Sequence, residues 1–251
     1  MLKVKACCLC LLFCVAAVAA DLLVYCGAGV RPPMEELAAV YEKENNTKVK
    51  FNFGGSAQLL AQIELSKQGD IFIPGEEYYL EIAKKKNLLY GEPAIIAYWL
   101  PVILVQKVNP KKLNNLSALS GVGVRLGIGD ERTCAIGMAT KRIFEKNKLS
   151  AEMEKNVVVK TATVSELGNA IKLKTVDAVI IWDSIAALYA DCGTVIGIPE
   201  AENELSKIPA AVLAVSPDKK EAGKFVLFLG SDEGRRILKK HHYNVPGGRR
   251  E

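Results

Sequence analysis

The sequence predicts an α/β protein of two lobes, each a mixed sheet flanked by helices, with a ligand cleft between the lobes. Two observations predict this fold. Strand and helix patterns alternate along nearly all of the chain beyond residue 20, which is typical of α/β folds. Four strand–turn–helix junctions contain small residues, two before residue 95 and two after it. Because ligands in α/β proteins bind beyond the carboxyl ends of strands, where helix N-termini converge, the junctions predict one shared cleft.

The chain up to residue 95 contains patterns for three strands and three helices. The first strand is an apolar run without polar alternation, as a buried parallel strand shows. A Pro32-Pro33 pair opens the first helix, since proline is tolerated in a first turn, and apolar residues then recur at helical spacing. The predicted strands cover 21–26, 48–53 and 70–73, and the predicted helices cover 32–45, 57–67 and 77–86.

The character of the sequence changes near residue 95, where two β-like stretches within 95–106 are divided by Pro101. Further strands are predicted at 122–128, 156–160, 176–182, 195–198 and 210–215, and helices at 134–146, 164–173, 183–189, 219–229 and 232–239. We therefore expect one lobe to contain 21–97 plus 200–251 and the other 98–199. The two crossings between the lobes would lie near 95–100 and 198–209.

The first twenty residues are predicted to be a secretory signal peptide. A basic start precedes an apolar run over 6–19, and small residues before Asp21 fit a cleavage site. The run is too short for a comfortable membrane span, although a retained segment that tethers the protein to the membrane is the open alternative. Cys10 and Cys14 follow large apolar residues, whereas lipidated cysteines normally follow small ones, so lipidation is not expected. We expect an exported protein, periplasmic or otherwise extracytoplasmic.

Composition limits the partners of the mature chain. Loss of two lysines with the signal lowers the formal charge from +5 to +3, which argues against nucleic-acid binding through phosphate neutralisation. About 230 remaining residues suit one large domain or two modest lobes. Three cysteines remain, Cys26, Cys134 and Cys192. A Cys134–Cys192 disulfide is slightly favoured over other pairings, and three small buried residues are an equally good interpretation.

Ser56 is the most informative single residue. The segment Phe53-Gly54-Gly55-Ser56 joins a strand to a helix through a tight turn and places Ser56 at the predicted helix N-cap. Helix N-termini carry unpaired N–H groups and partial positive charge, so they bind anions without charged side chains. The small Gly55 would let a ligand approach the backbone. Serine is also a good cap by itself, and this segment alone does not decide between the two roles.

Several segments together resemble the periplasmic molybdate-binding component of an ABC importer. They run in order through nearly the whole mature chain, and the Phe-Gly-Gly-Ser and Asp-Ile-Phe-Ile segments are the specific ones. The matching segments are 25–29, 34–37, 53–56 with 62–63, 69–73, 129–130 with 137, and 176–178. The resemblance implies a type II periplasmic-binding fold that closes over a tetrahedral oxyanion, molybdate or tungstate. It also implies a permease partner with its ATPase, and a monomer.

The resemblance further implies five donors to the oxyanion, all neutral: Gly29, Ser56, Ile136, Val164 and Trp182. Ser56 matches a serine of the family, and the backbone N–H groups of Ile136 and Val164 fall at helix starts. Gly29 stands where the family has a serine, and Trp182 stands where it has a tyrosine hydroxyl. Because two hydroxyls are missing, sulfate, phosphate, a metal ion or a small organic anion stay open as ligands.

Charged residues near the junctions are further candidate contacts. Arg31 and Arg132 could pair with an oxyanion directly. Alternatively, they could point to solvent or pair with Glu35 and Glu131. Asp183 could cap its own helix. An inward-facing Asp183 would repel an anion and would instead favour a cationic or zwitterionic ligand.

Enzyme chemistry finds little support in this sequence. The only histidines, His241 and His242, lie in a basic helix end without nearby metal ligands. Ser56 is not part of a Gly-x-Ser-x-Gly elbow, and Asp183 is the one candidate base near the cleft. We predict a binding protein without a cofactor and without direct metal ligands, any metal being bound only as the oxyanion. An exported sensory domain or enzyme on this fold is the remaining alternative.

Overall fold

Two five-stranded mixed sheets organise residues 21–247, the part of the chain that this computed structural model describes. The predicted signal peptide lies outside the described residues. The strands are β1 (Asp21–Gly27), β2 (Lys48–Gly54), β3 (Ile71–Ile73), β4 (Leu89–Trp99), β5 (Pro101–Gln106), β6 (Leu126–Gly129), β7 (Val157–Thr161), β8 (Ala178–Trp182), β9 (Gly193–Gly197) and β10 (Ser206–Leu213). The helices are α1 (Arg31–Asn45), α2 (Ser56–Ser66), α3 (Glu77–Lys85), α4 (Ala135–Lys146), α5 (Ser150–Glu154), α6 (Val164–Lys172), α7 (Asp183–Ala187), α8 (Lys219–Leu229) and α9 (Asp232–Lys240).

The first sheet has the strand order β2-β1-β3-β10-β4, and the second has the order β7-β6-β8-β5-β9. In each sheet three neighbouring strands pair parallel with one another, while the two strands next to the crossings form antiparallel pairs. The chain passes between the sheets at Leu100 and again through 198–205. The predicted two-lobe α/β fold is confirmed, and the residue boundaries of the lobes stay a prediction. Within the described part, no helix has the length and apolar character needed to cross a bilayer.

Most predicted elements occur within two or three residues of their expected bounds, and the larger errors have local causes. The strand expected at 122–128 begins only at Leu126, because the preceding segment turns at Gly123 with φ of +72°. The strand expected from residue 210 begins at Ser206 and contains Pro209. Proline is tolerated there since the pairing with β4 shifts register between Ile208 and Pro209. Helix α5 was not predicted.

In each sheet a buried aspartate just before a central strand hydrogen-bonds a neighbouring part of the chain. The carboxylate of Asp70 accepts the N–H of Leu23 at 2.8 Å and the hydroxyl of Ser216 at 2.6 Å. In the second sheet, the carboxylate of Asp177 accepts the N–H of Arg125 at 2.9 Å and pairs with its guanidinium at 2.8 Å. Each aspartate precedes a central strand, and the loops that follow these two strands line the cleft.

Two helical glycines with opposite surroundings provide a test of the packing. A Cβ added at Gly168 in α6 would lie 2.0 Å from the ring of Tyr189, whose hydroxyl is bonded to the carbonyl of Ser165. We expect Gly168→Ala to lower the free energy of unfolding by about 1–3 kcal/mol through overpacking. A Cβ at Gly223 in α8 would meet nothing within 4 Å. Because alanine loses less conformational freedom than glycine in a helix, Gly223→Ala should raise the free energy of unfolding by about 0.5–1 kcal/mol. Urea unfolding measures both changes, and shifts of the same sign would contradict this account.

Candidate functional site

Three helices begin at one small cavity between the two sheets. The cavity has a volume of about 20 Å³, above the ~10–15 Å³ that a single water needs, and therefore suits a ligand of very few atoms. The first sheet contributes lining residues from 27–29, 54–56 and 75, and the second sheet contributes 134–136 and 163–164. Trp99 and Trp182, one from each sheet, complete the wall.

All five residues expected to donate to an oxyanion line this cavity, together with Gly55. They are Gly29, Ser56, Ile136, Val164 and Trp182. Arg31, Arg132 and Asp183, the charged candidates, are not among the lining residues. The fold thus brings together the neutral candidates and leaves the charged ones outside.

The helices that begin at the cavity have no side-chain caps. The N-cap residues of α2, α4 and α6, which are Gly55, Cys134 and Thr163, accept no hydrogen bond from their helices through a side chain. By contrast, the side chains of Asp218 and Ser231 cap α8 and α9, which begin elsewhere. Since first-turn N–H groups lack intrahelical partners, the three uncapped ends present donors and partial positive charge to whatever occupies the cavity.

Ser56 is the first residue of α2 rather than its N-cap, so the predicted capping position was off by one. Its side chain is buried, and its Oγ accepts the N–H of Gly75 at 3.0 Å. The hydroxyl proton of Ser56 has no acceptor within residues 21–247. The hydroxyl is therefore held in place by the neighbouring loop while its proton stays available to an anion.

The two tryptophans stack on each other across the junction of the sheets. The ring centroids of Trp99 and Trp182 lie 4.6 Å apart at an interplanar angle of 5°. The indole N–H of Trp99 donates to the carbonyl of Gly75 at 3.1 Å. The indole N–H of Trp182 makes no hydrogen bond within the described residues, which leaves it as a second side-chain donor at the cavity wall.

The glycine at position 29 is explained by Trp99. A Cβ at Gly29 would lie 3.0 Å from Cη2 of Trp99 and 3.0 Å from Cγ1 of Val164, tighter than ordinary contacts. The carbonyl of Gly29 accepts a hydrogen bond from the hydroxyl of Tyr243, a residue near the C-terminus that no local sequence pattern places here. The ring of Trp99 thus crowds the position where the resembling family has a serine side chain.

The charged candidates have other partners. Arg31 pairs with Glu35 at 3.4 Å, as one of the sequence interpretations held, and its guanidinium lies 4.0 Å from the centroid of the Phe53 ring. Arg132 pairs with Asp130 at 2.7 Å. The expected pairing of Arg132 with Glu131 was wrong. The guanidinium of Arg132 bends back to the carboxylate of Asp130, which also accepts the backbone N–H of Arg132.

Asp183 is directed at the crossing between the sheets. It is the first residue of α7, and the preceding Trp182 is the N-cap. Its carboxylate accepts N–H groups from Leu100 at 3.1 Å and Ser184 at 2.9 Å, and the side-chain amide of Asn244 at 3.1 Å. Burial raises the pKa of Asp183, and these hydrogen bonds oppose the rise. The residue stabilises the crossing and does not contact the cavity.

Cys26, Cys134 and Cys192 are free thiols, so the slightly favoured Cys134–Cys192 disulfide was wrong. Cys134 lies at the start of α4 in the cavity wall, whereas Cys192 lies in the turn before the edge strand β9. Burial raises the pKa of the Cys134 thiol to about 12, although the N–H groups of Gly137 and Ile136 oppose the rise. The thiol is therefore neutral at physiological pH, and no charged side chain lines the cavity in the described part of the chain. No group of three or more His, Cys, Asp or Glu residues among 21–247 is placed to hold a metal ion.

Known proteins resemble this chain along most of its length. The profile of the bacterial extracellular solute-binding proteins matches residues 22–244. A putative binding protein of Haemophilus influenzae is 32% identical over 216 residues, which is 86% of this chain and 87% of that protein. A Mycobacterium bovis protein named molybdate-binding protein ModA is 25% identical over 229 residues, or 91% of this chain and 86% of that protein. The matched family and these relatives are binding proteins, not enzymes.

A solved structure shows the same fold. The sulfate-binding protein SubI of Mycobacterium tuberculosis H37Rv superposes with a TM-score of 0.82 over 91% of this chain and 88% of that one. Its sequence identity is 12%, so the likeness concerns the fold alone.

A double-mutant cycle tests the link between Gly29 and Trp99. We expect Gly29→Ser to lower the free energy of unfolding by about 1–3 kcal/mol, because the new Cβ crowds the indole ring. Trp99→Phe removes the crowding atoms, so the same serine should cost less in that background. Thermal unfolding of the four proteins gives the coupling energy. An equal loss in both backgrounds would show that the ring does not exclude the serine.

Proposed function

Because the chain belongs to the family of bacterial extracellular solute-binding proteins, we propose that it captures a tetrahedral oxyanion, molybdate or tungstate, for an ABC importer. The observation that supports this most is the neutral cavity at which α2, α4 and α6 begin without side-chain caps. The captured anion is delivered to a membrane permease with its ATPase. The protein acts as a monomer outside the cytoplasm, after cleavage of a signal peptide at 1–20.

The sign of the ligand follows from the helix ends. Three helix N-termini present partial positive charge, which attracts an anion and repels a cation. The hydroxyl of Ser56 and the indole N–H of Trp182 add donors without charge. Because these dipoles are fixed before the ligand arrives, little ordering is needed on binding, which favours affinity.

The size of the ligand follows from the closure of the lobes. A Cβ at Gly55 would lie 2.5 Å from the carbonyl oxygen of Thr133 and 2.8 Å from that of Ala162, so loops of the two sheets touch at this glycine. The N–H of Ala57 also reaches the carbonyl of Thr133 at 3.4 Å. An anion bound between these loops is shielded from water, and a larger solute would hold them apart. We propose that 21–97 plus 200–251 and 98–199 are the two moving bodies.

Molybdate is preferred over other oxyanions because of the relatives named for it and the segments that resemble that family. Sulfate or phosphate is the second candidate. It is favoured by the absence of two hydroxyls, since Gly29 and Trp182 replace a serine and a tyrosine of the resembling family. Both candidates use the same cavity and the same three helix ends.

Calorimetric titration separates the candidate ligands. We expect molybdate and tungstate to bind with a dissociation constant in the micromolar range or tighter, and sulfate and phosphate to bind at least tenfold more weakly. The physical reason is that donors at fixed spacing fit one anion size. If only sulfate or phosphate binds, that anion replaces molybdate as the proposed ligand. If none of the four anions releases or absorbs heat on titration, the result contradicts an oxyanion receptor of this kind.

Removal of one hydroxyl tests the site itself. Ser56→Ala deletes a donor to the anion, and a hydrogen bond to a charged group contributes about 1.5–3 kcal/mol, so affinity should fall by roughly 10- to 150-fold. Ser231→Ala is the matched control, because it removes a serine from the start of a helix that does not line the cavity. It should lower stability without changing affinity. Equal affinities of wild type and Ser56→Ala would argue that the anion binds elsewhere.

A further inference from the structure

We propose that Arg142 is a positioning residue that holds the two lobes closed around the cavity. Its guanidinium lies outside the cavity and joins three separate parts of the chain. It pairs with the carboxylate of Glu76, which stands between β3 and α3 in the first lobe. It also donates through Nε to both carboxylate oxygens of Glu204, at 2.8 and 2.9 Å, in the segment that returns from the second sheet to the first. Only the choice of molybdate as a probe below rests on the proposed function.

By the expected lobe bounds, Arg142 makes both of the ion pairs among residues 21–247 that join the second lobe to the first, and of its two partners only Glu76 lies outside the segment 198–205 that returns from the second sheet. The side chain of Glu76 is 8% exposed and that of Arg142 29% exposed, so solvent screens the pair less than a surface ion pair. Every other ion pair of the described residues lies within one lobe or reaches the returning segment.

The rest of α4 shows where the pair must break on opening. The ammonium of Lys146 donates to the carbonyl of Asn203 at 2.8 Å, and the side-chain amide of Asn147 donates to the carbonyl of Glu202 at 2.8 Å. These contacts, with the Glu204 pair, fix α4 to the returning segment as one body. We therefore infer that the returning segment moves with α4, although the expected lobe bounds count it with the first lobe from residue 200 onward, so opening of the cleft separates Arg142 from Glu76 while the Glu204 pair persists.

The ion pair and the cavity form together because they share the same elements. Glu76 directly follows Gly75, which lines the cavity and bonds Ser56. Arg142 lies six residues after Ile136 in α4, about 9 Å along a helix that rises ~1.5 Å per residue. A Cβ at Gly75 would lie 2.9 Å from Cβ of Ala135, so the two loops touch where the helix begins. The pair therefore favours the same closed arrangement that an anion favours.

The protonation of Glu76 decides whether the protein can fold without Arg142. Burial raises the pKa of Glu76 to about 7, and the guanidinium of Arg142 opposes this rise. Its Oε2 is buried without a hydrogen-bond partner in the described residues. When Arg142 is removed, Glu76 can take up a proton instead of remaining a buried charge, so we expect Arg142→Gln to fold.

The test compares Arg142→Gln with Arg125→Gln. Arg125 makes a similar pair with a buried carboxylate, Asp177, at 2.8 Å, but both residues belong to the second lobe. Small-angle scattering of the ligand-free mature proteins should show a larger radius of gyration for Arg142→Gln than for wild type. Arg125→Gln should match wild type in size while unfolding at a lower temperature. An unchanged radius for Arg142→Gln overturns the proposal whatever anion the protein binds.

A kinetic measurement tests the same proposal with molybdate as the probe. The chain has two tryptophans, and both lie in the cavity wall, so indole fluorescence in a stopped-flow instrument follows release directly. We expect Arg142→Gln to release molybdate at least tenfold faster and Arg125→Gln to release it at the wild-type rate. Release within twofold of wild type overturns the proposal. Absence of molybdate binding by wild type would instead count against the proposed ligand and leave the scattering comparison valid.

Discussion

The whole site depends on three helix starts that no side chain caps and that meet at one cavity. Buried N–H groups are nearly always paired, and the protein pairs them at α8 and α9 with the side chains of Asp218 and Ser231. At α2, α4 and α6 it places glycine, cysteine and threonine, whose side chains do not cap. Enclosing these ends in a small cavity creates a demand for hydrogen-bond acceptors that a compact anion satisfies.

The two tryptophans decide how that cavity is shaped. Trp99 lies on the first sheet and Trp182 on the second, and their stack fills the junction between the sheets. Trp99 also fixes the loop at Gly75 and crowds the space that a side chain at position 29 would need. The ring of Trp99 therefore occupies the space beside Gly29, and the indole N–H of Trp182 offers a donor at the cavity wall without adding charge.

Closure and chemistry are joined through short connections. The carbonyl of Gly75 accepts the indole N–H of Trp99, and the N–H of Gly75 donates to the hydroxyl of Ser56. Because Glu76 is the next residue, one loop links the cavity wall, the hydroxyl donor and the ion pair between the lobes. Asp183 and Asn244 fix the other side of the junction near Leu100. Such contiguous contacts allow occupancy of the cavity and the angle between the lobes to influence each other.

The sequence by itself determined the alternation of strands and helices, the four small-residue junctions and the interest of Ser56. These are local signals, because periodicity, turn residues and helix starts depend on neighbouring positions. The neutral candidates Gly29, Ile136, Val164 and Trp182 came from the resemblance of the sequence to a known family. Only the tertiary structure decided that Arg132 pairs with Asp130 and that Cys134 and Cys192 stay apart. It also decided that Trp99 lines the cavity, that Tyr243 bonds Gly29, and that Arg142 pairs with Glu76. Those outcomes depend on which distant surfaces meet when two sheets close on each other, and no pattern of adjacent residues encodes that meeting.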